Sequence, residues 1–254
     1  MLRPLAGAFR ALYGVLALAA FTLLLVVATL LAIVVPTVDG RRALTHRLAR
    51  AGLVILGLRV TIEGAQCLPA GSCVVVANHS SYLDGVVMKA MLPPRFTFVI
   101  KREAASMPVA GYLLRRIGSE FVDRHSEQGR RRDALRVLRK AESGQALVFF
   151  PEGTFDGERG LKRFHVGAFA AADRGGMPVV PVVIHGARHA MPNRRILVRP
   201  GRIRVEVLTP IAAHPAGGSA SELRVLARRA ILSRLDEPDL APDQTRGSRE
   251  ASAA

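Results

Sequence analysis

A histidine and an aspartate five residues apart, His79 and Asp84, follow directly on an apolar run, Val-Val-Val-Ala, at 74–77. Imidazole titrates near pH ~6.5, so at neutral pH it can take a proton from an attacking hydroxyl. If 80–84 begins a helix, Asp84 lies about one turn from His79 and can accept a hydrogen bond from the far ring nitrogen. Such a bond fixes the tautomer and stabilises the imidazolium. The same residues also fit a strand-to-helix turn in which Asn78 or Ser80 caps the helix and His79 is incidental.

Two further apolar runs end in cations. Lys101 opens Lys101-Arg102-Glu103, and Arg124 closes Phe121-Val122-Asp123-Arg124. A guanidinium can hold a phosphate through paired planar donors, although a solvated arginine-rich face gives the same pattern. Downstream, Val148-Phe149-Phe150 runs into Pro151-Glu152-Gly153-Thr154. That tight turn exposes backbone N–H groups and brings the chain close to a ligand. Leu161-Lys162-Arg163-Phe164-His165 follows and supplies more cations. The run at 179–184 is a buried strand, and His185 after it is structural rather than catalytic.

Short β-rich runs alternate with helical segments beyond residue 60. Strands are expected over 73–77, 96–100, 119–122, 146–150, 179–184 and 203–208. Helices are expected over 83–91, 104–117, 129–143 and 166–174, and a last one from a Ser219–Glu222 capping box to about 235. Fully apolar strands separated by helices predict an α/β domain with a largely parallel sheet. Polar residues at strand carboxyl ends are where such sheets bind ligands. The organisation is then a membrane-anchoring segment over 1–60, the α/β domain over 61–235, and a polar disordered tail over 236–254.

No charged residue occurs between Ala11 and Thr37. About 20 such residues cross a bilayer, and a cleaved signal sequence has an apolar stretch of only about 7–15. Arginines are denser after this segment than before it, which places the main domain in the cytoplasm. A second apolar stretch, 51–60, is too short to span and suits the membrane interface. A spanning helix and a shallow helical hairpin both remain open.

The 254 residues carry a formal net charge of +16, with no Trp and only two cysteines. Such a surface seeks polyanions, but few aromatics and no reading helix argue against nucleic acid. Cys67 and Cys73 form neither a disulfide scaffold nor a zinc site, and Cys73 reads as a small buried hydrophobe.

Taken together, Asn78-His79-x-x-x-x-Asp84, Phe121–Arg124, Phe150–Thr154 and Val-Val-Pro-Val at 179–182 resemble the glycerolipid acyltransferase family. The likeness is to the bacterial 1-acyl-sn-glycerol-3-phosphate acyltransferases in particular, over roughly residues 70–190. It implies a glycerolipid acyltransferase-like α/β fold with a largely parallel mixed sheet flanked by helices, preceded by a membrane helix or hairpin. It further implies His79 as base and Asp84 as its partner, with Arg124, Glu152, Gly153 and Thr154 at the acceptor's glycerol phosphate; the strand-end cation Lys101 is read as a second contact to that phosphate. Transfer is then direct, from acyl-CoA or acyl-acyl carrier protein to the sn-2 hydroxyl of a lysophosphatidate-type acceptor, with no metal and no further cofactor. The partners are membrane lipids, at the inner (cytoplasmic) membrane. Many members continue Phe-Pro-Glu-Gly-Thr with Arg-Ser, where this chain has Phe155-Asp156, and His165 replaces a common Lys. An acceptor with another headgroup, such as lyso-ornithine lipid, therefore stays open, as does an acyl thioesterase. A non-enzymatic membrane-binding protein would leave the strand-end motifs unexplained.

Overall fold

The computed structural model describes residues 2–123, 126–193, 195–213 and 219–244. Two helices open the chain, α1 (Leu2–Val34) and α2 (Val38–Ile55). Thr37 caps α2, its side chain accepting from the Gly40 N–H at 3.1 Å. Then follow β1 (Leu58–Glu63), β2 (Val74–Ala77), α3 (Leu83–Met91), β3 (Thr97–Lys101), α4 (Ala110–Arg116) and β4 (Glu120–Val122). The remainder is α5 (Glu127–Glu142), β5 (Leu147–Phe149), α6 (Gly167–Arg174), β6 (Val179–His185), α7 (Ala187–Ala190), β7 (Gly201–Val207) and α8 (Ala220–Leu232).

Among the described residues the strands form one seven-stranded sheet in the order β1-β7-β6-β2-β5-β3-β4. Every pairing is parallel except β6 with β7. All four side chains of β2 are buried, as a central strand covered on both faces requires. Val75 and Ala77 join a core with Leu53, Leu83 and Phe98 on the α2 and α3 side. Val74 and Val76 join a second core with Val137, Phe169 and Leu223, under α5, α6 and α8. The period-two alternation of a strand thus divides one apolar run between two helical layers.

Three sequence expectations are corrected. The stretch 51–60 is not a single interfacial segment: α2 ends at Ile55 and β1 begins at Leu58. Leu58 is buried and Arg59, Thr61 and Glu63 are exposed, a half-covered strand whose alternation the longer apolar run had masked. The helix expected over 104–117 is broken into a 3-10 turn, Arg102–Ser106, and α4. Pro108 lacks the N–H to continue a helix, and Val109 after it sits at φ 60. The tail is bound over its first residues. Leu161 donates to the Pro238 carbonyl at 2.9 Å, Arg188 pairs with Glu237, and the fully buried Arg228 of α8 pairs with Asp239. Charge pairing and backbone hydrogen bonds hold this segment, with Ala241 buried beside them. Residues 245–254 of the expected tail lie outside the described residues.

Candidate active site

Register alone brings the first and third motifs together. β2 and β5 are parallel neighbours with Val76 opposite Phe149, so counting on sets His79 level with Glu152. β3 pairs with β5 at Phe98 and Val148, which sets Lys101 level with Pro151. Adjacent strands lie about 4.8 Å apart, so these residues converge at one end of the sheet without any long-range loop.

Asn78 closes β2 against β6. Its amide donates to the Ile184 carbonyl at 3.1 Å and accepts from the Ile184 N–H at 2.7 Å, mimicking another residue of the ladder. It does not cap α3, and neither does Ser80. Instead, the Ser81 hydroxyl oxygen accepts from Leu83 N–H, while Asp84 Oδ2 accepts from the N–H groups of Ser80 and Ser81 at 2.6 and 2.8 Å. The same oxygen lies 3.0 Å from His79 Nδ1. Asp84 is 0% exposed, and its Oδ1 has no hydrogen-bond partner among the described residues. With Nδ1 committed to the carboxylate, the imidazole presents Nε2 as its basic nitrogen.

Two aromatic rings flank that imidazole. Phe150 stacks on it with centroids 4.4 Å apart, and Phe155 meets it edge-on at 4.6 Å. Phe155 also packs edge-on against Tyr82 at 4.6 Å. The His79 side chain keeps 18% of its surface exposed and lines a cavity of about 480 Å³ between the sheet and the α1–α2 pair. Phe21, Leu24, Leu48, Phe98 and Leu113 make its walls apolar, and Lys101, Gly153 and Thr154 also line it.

Glu152 faces inward. It is 6% exposed, and its two oxygens accept from the N–H groups of His79 (2.6 Å) and Lys162 (2.9 Å). A carboxylate so placed holds the backbone at His79 and at Lys162. Gly153, at φ 84, turns the chain where a side chain would be strained, and its N–H donates to the Phe150 carbonyl at 3.0 Å. Thr154, exposed beside the cavity, is the neighbouring donor. Burial, opposed by the Lys162 and His79 N–H groups, pushes the Glu152 carboxyl up to about 7. A carboxyl raised on folding contributes stability below its unfolded value, and that contribution is lost as pH rises from about 4.5 to 7. Glu152→Gln, which leaves one buried N–H without an acceptor, should cost on the order of 1–3 kcal/mol at low pH. The gap between wild type and variant should narrow as pH rises, measured by urea unfolding at a series of pH values. A pH-independent gap would mean that Glu152 does not titrate on this range. Turnover should fall about 10-fold or more while the acceptor KM holds, because the peptide of His79 loses its support.

Arg124 lies outside the described residues. Its predecessor Asp123 is fixed by a 2.9 Å N–H donation to Asp133, which also pairs with Arg102. Two cations of the loop after Thr154 are paired, Lys162 with Asp156 and Arg163 with Asp243, while Arg159 donates to the Asp236 carbonyl at 2.8 Å. Lys101 is exposed, with no ion pair among the described residues. His185 lines a different cavity, with Arg59, Arg202 and Arg204, and lies 3.6 Å from Glu206. Sequence spacing pairs His79 with Asp84; it gives no sign that Glu152 accepts from the His79 peptide or that Phe155 packs on its ring.

Residues 59–185 match the family model for acyltransferases. The 1-acyl-sn-glycerol-3-phosphate acyltransferase alpha of Mus musculus is 33% identical over 72% of this chain and 67% of its own length. The 1-acyl-sn-glycerol-3-phosphate acyltransferase of Saccharomyces cerevisiae is 30% identical over 63% of this chain, which spans about half of that relative's length (54%). A lysophospholipid acyltransferase of Homo sapiens is 36% identical over 59% of this chain and 29% of its own. The crystal structure of the 1-acyl-sn-glycerophosphate acyltransferase PlsC from Thermotoga maritima superposes with a TM-score of 0.73, covering 96% of this chain and 98% of that one at 21% identity.

Proposed function

The chain belongs to the acyltransferase family, and from that premise we infer that it moves a fatty acyl chain from a thioester to the sn-2 hydroxyl of 1-acylglycerol-3-phosphate. The observation that carries this is the His79–Asp84 pair, its second nitrogen left for a proton, beside an apolar cavity with Lys101 in its lining. His79 Nε2 takes the acceptor's hydroxyl proton as the oxygen attacks the thioester carbonyl. The tetrahedral oxyanion is met by backbone or hydroxyl donors at Thr154, since the Gly153 N–H already serves the Phe150 carbonyl. As the carbon–sulfur bond breaks, the imidazolium returns its proton to the departing thiolate. No residue need be acylated. The acyl chain lies in the cavity and Lys101 takes the phosphate, joined by Arg124. The thioester is that of coenzyme A or of acyl carrier protein.

We place the reaction at the cytoplasmic membrane. Ala11–Val34 is long and apolar enough to cross a bilayer, yet α1 is tied down near both ends. Tyr13 donates to the Ile55 carbonyl at 3.2 Å, and Arg116 donates to the Ala32 carbonyl at 3.0 Å. A helix so fastened to α2 and α4 suits a hairpin lying in one leaflet, with Leu16, Leu23 and Leu30 exposed to lipid.

Phe155 favours a second acceptor class. It takes the sequence position at which many family members carry an arginine, and the nearby cations Lys162 and Arg163 are already paired. The test is purified enzyme with an acyl-CoA donor and a panel of lyso-acceptors, the products identified by mass spectrometry. Phosphatidic acid as the main product is the expected result. A main product with another headgroup would move the assignment to that lyso-lipid, and release of free fatty acid alone would overturn acyl transfer.

A further inference from the structure

Lys89 sets a charge where an alkyl chain needs none. It shares a face of α3 with Tyr82, Gly85 and Val86, all lining the apolar cavity, and its Nζ stands 5.9 Å from the centre of the Phe98 ring. Among the described residues its ammonium has neither a hydrogen bond nor a carboxylate partner. The charged neighbour is Arg42, itself a cation, whose donors serve the Ile117 carbonyl (2.9 Å), the Arg95 carbonyl (3.2 Å) and Thr97 Oγ1 (2.6 Å). Burial first, then Arg42, pushes the Lys89 amine down to about 8. A lone ammonium in an apolar wall is costly unless something pairs with it. Aromatic contact with Phe98 offsets only part of that cost.

Position separates Lys89 from the headgroup side of the site. Phe98 precedes Lys101 by three residues along β3, and Lys89 follows Tyr82 by about two turns of α3, so its backbone stands roughly 10 Å along the helix from the rim. That depth belongs to the acyl chain, not to the phosphate at the rim. We propose that the cavity holds a subsite for an oxygen-bearing acyl chain, in which Lys89 donates a hydrogen bond to a hydroxyl part-way along the chain. The subsite rests on the acyl-transfer assignment above. A hydroxyl fits better than a carboxylate, because it accepts from an ammonium yet loses far less on leaving water.

The experiment compares palmitoyl-CoA with its mid-chain hydroxy regioisomers, in wild type, Lys89→Met and Lys89→Gln. Methionine keeps the length of the side chain without its charge, and glutamine keeps a donor. In wild type at least one regioisomer should be used about tenfold better than palmitoyl, as judged by kcat/KM, the scale of a hydrogen bond to a charged group. Lys89→Met should reverse that order, and Lys89→Gln should keep part of it. Equal use of all chains by wild type, or an unchanged order in Lys89→Met, overturns the subsite. Calorimetric binding of palmitic and hydroxypalmitic acids gives a readout free of turnover, and keeps the test intact if a variant is inactive. Lys89-dependent binding of the hydroxy acid without any transfer would refute acyl transfer while sustaining the subsite. Transfer with no Lys89 dependence would do the reverse.

Discussion

His79→Ala should lower kcat/KM for acyl transfer by roughly 10²–10⁴, the range a positioned general base supplies. A lipid hydroxyl ionises far above neutral pH, so without a base its proton stays on the oxygen while that oxygen attacks. Among the described residues, neither neighbouring carboxylate faces the hydroxyl. Asp84 is fully buried behind the imidazole, and Glu152 is turned to the backbone N–H groups of His79 and Lys162. On the proposed reading the loss should fall on kcat, because cations hold the acceptor and the apolar walls, of which His79 is only one of many members, hold the acyl chain. Stability should change little. The ring is partly exposed, its main packing is the stack on Phe150, and Asp84 Oδ2 keeps its two bonds from Ser80 and Ser81. Steady-state kinetics with a thermal melt checks both halves. Near-wild-type turnover in a folded variant would remove His79 from the chemistry.

The parts of this arrangement that were legible in the sequence are those carried by local pattern. Val74–Ala77 is apolar at every position, which requires a strand buried on both faces, and its polar successor places the site at the sheet's carboxyl end. The spacing of His79 and Asp84 already contained their contact, because the first turn of α3 folds that side chain back. What was hidden depends on strand order. Nothing local says that β5 lies beside β2, and only that adjacency brings Glu152 under the His79 peptide. The motif glutamate reads from sequence as a ligand for the acceptor, and the strand order gives its two oxygens backbone partners that the motif alone does not show. Lys89 was hidden for a similar reason. Its helix face is visible in the sequence, but the cavity it lines is made by α1, α2 and β3 as well. The bound segment after Asp236 escaped because composition counts apolar residues, and here buried Arg228 does the fastening.

Asp84→Asn should separate the geometry of the pair from its charge. The Asp84 oxygen that matters is Oδ2, which serves His79, Ser80 and Ser81, whereas Oδ1 takes no hydrogen bond among the described residues. An asparagine can put its amide oxygen in the Oδ2 position and keep all three bonds, leaving its NH₂ where Oδ1 was. The imidazole then stays in place in the same tautomer. The negative charge that stabilises the imidazolium during attack is gone. Turnover should therefore drop by roughly 10²–10³, close to the effect of removing the base itself, with KM for acceptor and donor nearly unchanged. The buried NH₂ without an acceptor should cost about 1–3 kcal/mol of stability. Asp84→Ala should cost more, because two backbone N–H groups would lose their acceptor in a buried turn. Equal rates for Asp84→Asn and wild type would mean that orientation alone suffices. A double variant with His79→Ala closes the cycle. If the two side chains act as one unit, it should be scarcely slower than His79→Ala alone, and a multiplicative loss would show that Asp84 acts elsewhere.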